Sequence, residues 1–131
     1  MNMTDRELLD MAIKAREFAY VPYSGYRVGA ALECEDGTVY TGCNIENAAY
    51  GNTICAERTA LGKAVSEGAR RFTRIAIASS GSAPYPCGAC RQSLNEFAPD
   101  LLVLVTWDGN VEQARLSDLL PHGFGPSSLG K

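Results

Sequence analysis

Two short segments that place cysteines at the expected starts of helices constrain this chain more than any other feature. They run from Cys55 to Glu57 (CAE) and from Pro86 to Cys90 (PCGAC), and each follows a loop and precedes a helical pattern. Because positions three apart lie on one face of a helical turn, Cys87 and Cys90 can offer both sulfurs to a single metal ion. Cys55 would complete a set of three thiolates, so we expect the fold to bring the two helix starts together.

The residue types at these positions favour a catalytic zinc ion. Helix N-termini carry partial positive charge, which lowers thiol pKa values and favours the thiolate form that binds zinc. Three protein ligands with a water in the fourth place are typical of catalytic zinc, whereas four protein ligands are typical of structural zinc. Glu57, two residues after Cys55, can lie close to the ion and still carry protons. We therefore predict one Zn²⁺ per chain, bound by Cys55, Cys87 and Cys90.

Two other interpretations of the cysteines remain open at this point. A Cys-x-x-Cys pair alone is often a redox pair or half of a structural zinc site. A redox role would leave Glu57 without a task, and a structural site would need a fourth ligand, for which Cys43 and His122 are the candidates. We expect Cys34 and Cys43 instead to be small, partly buried side chains of a hairpin, and His122 to be an exposed loop residue.

The charge of the predicted site calls for a neighbouring donor. Three thiolates around Zn²⁺ leave a net charge of −1, which should make a bound water less acidic than in a site with neutral ligands. Arg58 directly follows Glu57, and Arg91 and Gln92 follow Cys90, so donors to the sulfurs are available. We assign this role to Arg58 and expect Gln92 to assist it.

Hydrophobic periodicity and turn residues predict helices that alternate with strands. Thr4 and Glu7 form a capping box that opens a helix over 4–19, which Val21-Pro22 ends, and the runs 26–34 and 38–43 flank an Asp36-Gly37 hairpin turn. The remaining predicted elements are a helix from near Cys55 to Gly68, a buried strand over 74–79, a helix from near Cys87 to Pro99, a buried strand over 101–107, a turn over 108–110, an edge strand over 111–116 and a helical turn over 117–120. Residues 122–131 look loosely held. The alternation predicts an α/β layered domain.

Length, composition and charge limit the class of protein. A chain of 131 residues has the size of one domain, 1–131, and its 46% hydrophobic and 21% charged residues are typical of a globular protein. No apolar run approaches the roughly 20 residues of a membrane span, and the N-terminus lacks the pattern of a signal peptide, so we expect a soluble, cytoplasmic protein. A net charge of −3 argues against nucleic acid as a partner and favours a small substrate. Five cysteines, an odd number without a secretory address, favour metal binding over disulfides.

Three longer motifs resemble the cytidine deaminase family, in particular its short homotetrameric branch. They are VPYSGYRVGAAL at 21–32, TGCNIENAAYGNTICAERTAL at 41–61 and PCGACRQ at 86–92. The last two contain Cys-x-Glu followed by Pro-Cys-x-x-Cys, the signature of zinc deaminases. The resemblance spans nearly the whole chain, from the first helix to Phe124.

The resemblance implies a three-layer α/β/α fold with a mixed five-stranded sheet, a homotetramer, and a role in pyrimidine salvage. It also implies zinc-dependent hydrolytic deamination of cytidine and 2′-deoxycytidine to uridine and 2′-deoxyuridine, with release of ammonia. Zinc would be bound by Cys55, Cys87 and Cys90, and Glu57 would be the general acid/base that protonates N3 and then the departing amine.

The resemblance further implies a set of nucleoside-binding residues. Asn44 and Glu46 match the pair that holds the ribose 3′-hydroxyl, and Ala56 is carried over as a substrate contact. Tyr26 stands where the family usually has a phenylalanine on the pyrimidine, so the aromatic face is kept and a hydroxyl is added. Phe124 resembles a C-terminal aromatic residue that reaches into a neighbouring subunit's site.

Three alternative functions stay open beside this one. A related deaminase acting on a modified cytosine nucleoside, such as blasticidin S, would share the zinc core, although the Asn44-x-Glu46 loop favours plain nucleosides. A polynucleotide deaminase would need a basic, aromatic-lined channel, which the acidic composition disfavours. A non-catalytic zinc-binding module would bind zinc without turnover, and it would leave Glu57 unexplained.

Overall fold

The computed structural model describes residues 3–131 and is built on a five-stranded sheet. The strands are β1 Val28–Cys34, β2 Val39–Cys43, β3 Phe72–Ser79, β4 Leu102–Trp107 and β5 Asn110–Arg115. Their order is β2-β1-β3-β4-β5, with β3 and β4 parallel and the other pairs antiparallel. The helices are α1 Asp5–Ala15, α2 Ala56–Ser66, α3 Gly88–Asn95 and α4 Leu116–Leu119, with 3₁₀ turns at Arg16–Phe18, Tyr50–Asn52 and Pro126–Leu129. None of the helices within the described residues is long and apolar enough to cross a bilayer.

Helices cover both faces of this mixed sheet. α1 packs Leu8 and Ala12 on the face formed by Ala31, Ala76 and Leu104. The opposite face carries the larger side chains of β1, β3 and β4 and contacts α2 and α3. Because both faces are covered, the central strands are apolar along most of their length and appear in the sequence as continuous hydrophobic runs. The expected three-layer α/β/α fold is confirmed.

The first helix is shorter than the sequence predicts. Its capping box of Thr4 and Glu7 is present, but the α-helix ends at Ala15 and a single 3₁₀ turn follows, whereas the prediction extends the helix to residue 19. The chain becomes extended at Tyr20, which exchanges backbone hydrogen bonds with the segment 44–46 at 3.0 and 2.8 Å. This pairing with a distant segment ends the helical region before Pro22.

The predicted glycine signals lie where the backbone needs them. α2 ends in a Schellman motif, in which Gly68 has φ +99° and donates to the Val65 carbonyl at 3.1 Å, while Ala69 donates to the Ala64 carbonyl at 3.0 Å. The Asp108-Gly109 turn has positive φ at both positions, 46° and 79°, and joins β4 to β5. Both connections match the sequence prediction.

Strand direction brings the starts of α2 and α3 together. β2 and β3 are each antiparallel to β1, so they run in the same direction and end at the same edge of the sheet. The segment after β2 leads into α2, and the segment after β3 leads into α3. Both cysteine-bearing helix starts therefore lie at this edge.

Candidate active site

The Sγ atoms of Cys55, Cys87 and Cys90 converge where α2 and α3 begin. All three lie within 4.8 Å of one another, with 3.8 Å between Cys55 and Cys87 and 3.5 Å between Cys87 and Cys90. Zinc–sulfur bonds of about 2.3 Å at tetrahedral angles place sulfurs about 3.8 Å apart, so the three thiols fit zinc. Neither Cys43 nor His122 belongs to this cluster in the part of the chain that the structure describes.

The helix starts leave the three sulfurs available to a metal. Cys55 and Cys87 are the N-cap residues of α2 and α3, and neither side chain makes a capping hydrogen bond. Cys90 follows in the first turn of α3 and is buried, whereas Cys87 is exposed and Cys55 is half-buried. The site thus lies against the core at Cys90 and is open to solvent at Cys87.

Contact among the thiols moves the pKa values of Cys55 and Cys90 in opposite directions. The hydrogen bond with Cys90 and, to a smaller extent, the neighbouring Arg58 lower the pKa of Cys55 to about 5 against the opposing effect of burial. The same hydrogen bond, together with burial, raises the pKa of Cys90. Zinc binds thiolates and releases their protons, so a bound zinc ion would replace the thiol protons between the sulfurs.

Arg58 is the donor that the structure places on a ligand sulfur. Its Nη2 lies 3.8 Å from the Cys55 Sγ, and the hydrogen bond to Cys55, followed by the one to Cys90, raises the pKa of the guanidinium. The Nε atom is buried and has no hydrogen-bond partner among the described residues. The guanidinium therefore brings a positive charge to the three sulfurs.

The side chains of Gln92 and Arg91 bind backbone carbonyls, whereas the sequence predicts donors to the sulfurs. The Gln92 amide donates to the backbone carbonyl of Phe124 at 2.7 Å and not to a sulfur. Arg91 donates to two backbone carbonyls, both at 2.7 Å. Since successive helical residues are turned by about 100°, side chains one and two positions after the buried Cys90 point away from its sulfur. The expectation for Gln92 therefore does not match its observed contact.

Glu57 is a buried carboxyl beside this cluster. It is the second residue of α2, and 5% of its surface is exposed. Burial, together with a smaller contribution from the negative Cys55, raises its pKa to about 7. A carboxyl in this environment can gain or lose a proton near neutral pH, as a general acid/base requires.

Asn44 links the expected ribose-binding loop to the start of β1. Its Nδ2 donates to the Tyr26 carbonyl at 2.8 Å, and its Oδ1 accepts from the Val28 amide at 2.9 Å. Two backbone hydrogen bonds of 2.9 Å between Ile45 and Ile54 hold this loop beside the residue that precedes Cys55. The loop therefore lies next to the first cysteine of the cluster.

Glu46 is held by the turn that precedes β1. Its Oε1 accepts from the backbone amides of Tyr23 and Ser24 at 3.0 and 3.1 Å, and its Oε2 accepts from the Ser24 hydroxyl. The Ser24 hydroxyl is also the main cause of a lowered Glu46 pKa. The carboxylate is thereby kept ionised and fixed in orientation.

Tyr26 is fixed at both its ring and its hydroxyl. The hydroxyl donates to the Ser82 carbonyl at 3.0 Å, and the ring lies so close to Gly81 that an added Cβ there would be 3.1 Å from the ring. The hydroxyl that distinguishes this residue from phenylalanine thus binds the segment leading to Cys87. Of the other expected contacts, Ala56 is fully buried, whereas Phe124 is 57% exposed.

Two residues that support the site, Ser24 and Asn95, were not predicted from the sequence. Ser24 connects Glu46 to Tyr26, since its hydroxyl also accepts from the Tyr26 amide at 3.0 Å. Asn95 donates to the Phe124 carbonyl at 2.9 Å. The signal for Ser24 was its place in a Pro-Tyr-Ser-Gly turn, where serine commonly bonds the backbone two residues on. The only sequence signal for Asn95 was its spacing of three residues from Gln92.

Comparison with known proteins agrees with this geometry. A family model described as the cytidine and deoxycytidylate deaminase zinc-binding region matches residues 2–106. A cytidine deaminase from Sporosarcina psychrophila is 48% identical over 130 residues, which cover 97% of this chain and 96% of the relative. The structure of a cytidine deaminase from Burkholderia pseudomallei superposes with a TM-score of 0.90 at 47% identity and covers 93% of this chain and 100% of that chain.

A second solved structure extends the likeness. The cytidine deaminase from Mycobacterium tuberculosis superposes with a TM-score of 0.83 at 44% identity, covering 94% of this chain and 99% of that one. The matched region of the family model includes the three converging cysteines and the buried glutamate. The chain belongs to the family of cytidine and deoxycytidylate deaminases that share this zinc-binding region.

Proposed function

We propose that this chain hydrolyses the exocyclic amino group of cytidine and 2′-deoxycytidine, giving uridine and 2′-deoxyuridine with release of ammonia, as a step of pyrimidine salvage. The observation that carries the proposal is the convergence of three thiols at zinc spacing beside a buried carboxyl, Glu57. The relatives named cytidine deaminase cover nearly the whole chain, which supports the same substrate class.

Cys55, Cys87 and Cys90 would hold the zinc ion. When bound by three protein ligands, zinc supplies a water made acidic enough to act as a nucleophile at neutral pH. Arg58 would offset part of the negative charge of the three thiolates from its position 3.8 Å from the Cys55 sulfur. A fourth protein ligand would close the site, and none joins the cluster within residues 3–131.

Glu57 would move the protons of the reaction. It would take a proton from the attacking water and deliver it to N3 of the cytosine ring, and it would then take the proton of the hydroxyl added at C4 and pass it to the amino group as it leaves. Its burial supports this role because the raised pKa, about 7, makes both protonation states accessible at neutral pH. Its place two residues after Cys55 keeps it next to the ligands without being one of them.

The nucleoside would be held from the side of the 44–46 loop. Asn44 and Glu46 would bind the ribose 3′-hydroxyl, which both proposed substrates have. The Tyr26 ring would pack on the pyrimidine, and the backbone of Ala56 would contact the base, because the Ala56 side chain is fully buried. The fixed orientations of Glu46 and Tyr26 support a site that is formed before the substrate arrives.

We also propose that the protein acts as a homotetramer in the cytoplasm. Phe124 is exposed in the single chain, at 57%, and would complete the nucleoside site of a neighbouring copy. Other large apolar side chains are exposed as well, including Phe18 at 79% and Tyr50 at 89%, which assembly would cover. The net charge of −3 supports a small-molecule partner in preference to nucleic acid.

The test follows the ultraviolet absorbance change when cytidine becomes uridine. Purified protein is incubated with cytidine beside a Glu57→Gln variant, which keeps the shape of the side chain and removes the acid/base. We expect turnover by the unsubstituted protein, a loss of at least about a thousandfold in the variant, and one zinc per chain in both. Zinc binding without turnover of cytidine or 2′-deoxycytidine would contradict the proposal and direct attention to modified cytosines.

A further inference from the structure

Two amide side chains of α3 converge on one backbone carbonyl of the C-terminal segment. Gln92 Nε2 and Asn95 Nδ2 donate to the Phe124 carbonyl oxygen at 2.7 and 2.9 Å. The two residues are three positions apart and therefore lie on the same face of the helix. Gln92 is exposed and Asn95 is 6% exposed, so one bond is at the surface and the other is partly buried. We call this pair the amide clamp.

Glycines on both sides of Phe124 allow the amide clamp to close. A Cβ added at Gly123 would lie 3.2 Å from Asn95 Nδ2 and 3.0 Å from a Leu120 methyl carbon, and one added at Gly125 would lie 3.3 Å from the same Nδ2. Side chains at either position would push Asn95 away. The clamp therefore holds the backbone of the segment, whereas the Phe124 ring itself remains 57% exposed.

The same helix that carries two of the metal ligands also holds this segment. α3 begins after Cys87 and contains Cys90 in its first turn. Between the cysteines and the amide clamp, Arg91 donates to the Leu119 carbonyl at 2.7 Å and to the Pro86 carbonyl at 2.7 Å. Three side chains of the metal-binding helix, Arg91, Gln92 and Asn95, thus hold the backbone of the segment that carries Phe124.

We propose that Gln92 and Asn95 are positioning residues that direct Phe124 into the nucleoside site of a second copy of the chain. This inference rests on the proposed function, which assigns Phe124 to that site. Both amides donate to the Phe124 carbonyl and neither is hydrogen-bonded to Glu57 among the described residues, so loosening the clamp leaves the proton carrier in place. A mobile Phe124 weakens substrate binding, which raises KM more than it lowers kcat.

The test uses Asn95→Asp and Gln92→Glu, which keep side-chain size but replace the donor by an acceptor that faces a carbonyl. Each variant should raise KM for cytidine about three- to tenfold and leave kcat within about twofold. Ser93→Ala is the matched control on α3, because the Ser93 hydroxyl donates to the Ala89 carbonyl of the same helix at 2.8 Å and has no other partner within residues 3–131, so it should change neither constant. Gln92→Glu is on the surface and serves if the buried substitution prevents folding.

A double-mutant cycle with Phe124→Ala separates positioning from a general structural effect. Phe124→Ala alone should raise KM, and adding Asn95→Asp to it should raise KM no further. Hydrogen exchange of the Gly125 amide, which donates to the Ser128 hydroxyl at 3.2 Å, should be faster in Asn95→Asp than in Ser93→Ala, which is a readout independent of turnover.

The possible failures are distinguishable. Additive effects on KM, or unchanged exchange, would overturn the amide clamp as the holder of Phe124. Turnover with a KM that Phe124→Ala does not change would overturn the inference and leave the proposed deamination unaffected. Absence of turnover by the unsubstituted chain would refute the proposed function itself and the inference with it.

Discussion

Arg74 binds two carboxylates of different exposure, which permits a controlled test of what burial adds to an ion pair. Its Nε and Nη2 bind Glu33 at 2.6 and 2.5 Å, and its Nη1 binds Asp5 at 2.6 Å. The Glu33 side chain is 10% exposed and that of Asp5 is 51% exposed. The variants Glu33→Gln and Asp5→Asn each remove one charge and keep the side-chain shape.

The two substitutions should differ clearly in cost. Removing one partner of a buried pair typically costs about 3–5 kcal/mol. Arg74 would keep Asp5 and the Met3 carbonyl, which it binds at 2.6 Å, so some of its charge remains compensated. We therefore expect Glu33→Gln to lower the free energy of unfolding by about 2–3 kcal/mol. Asp5→Asn breaks an exposed pair and should cost less than about 1 kcal/mol.

Urea unfolding of both variants at neutral pH and at one protein concentration measures this difference, since assembly makes apparent stability depend on concentration. The acid dependence gives a second measure. The hydrogen bond from Arg74 lowers the pKa of Glu33 below its ordinary value of 4.5. Glu33 therefore stabilises the fold above that value, and the stabilisation is lost as the pH falls through the lower folded-state pKa. The free energy of unfolding of Glu33→Gln should therefore fall less steeply as the pH is lowered. Equal costs for the two variants, or unchanged acid dependence, would refute the reasoning.

Two further predictions concern the candidate site. Arg58→Gln should retain zinc, measured by metal analysis, but should shift the acid limb of the pH dependence of kcat upward by about one pH unit, because a charge 3.8 Å from the Cys55 sulfur is lost; an unshifted limb would exclude this role. Tyr26→Phe removes the bond to the Ser82 carbonyl and keeps the ring, so the free energy of unfolding should fall by about 1 kcal/mol while KM for cytidine changes less than about threefold. A large rise in KM on that substitution would show that the hydroxyl itself serves the substrate.

Features set by neighbouring residues were predictable from the sequence. The Thr4 capping box, the glycine end of α2 and the cysteine starts of α2 and α3 depend on a few adjacent side chains, and all are found where the patterns indicate. The convergence of the sulfurs was predictable for a chemical reason, since the Cys55-x-Glu57 and Cys87-x-x-Cys90 segments together offer three thiols and a free glutamate, which suit a catalytic zinc site. The mixed five-stranded sheet followed from family resemblance and not from local patterns.

Features set by distant contacts were not predictable in the same way. The early end of α1 depends on pairing between Tyr20 and the segment 44–46. Gln92 was expected near a sulfur, but its direction depends on where a segment 32 residues away crosses α3. Glu46 was expected as a ribose contact, and its hold on the Ser24 turn could not be inferred, because no pattern in the sequence specifies that close approach.

The distance along the chain between the cysteines has a mechanical consequence. Cys55 and Cys87 are 32 residues apart, and the chain between them includes α2 and β3, which belong to different layers of the fold. An ion that joins their sulfurs closes a covalent-like loop around that stretch. By the chain-entropy relation for cross-links, closing a loop of this length restricts the unfolded chain by about 3–4 kcal/mol. The ion that would serve hydrolysis would therefore also cross-link the starts of α2 and α3.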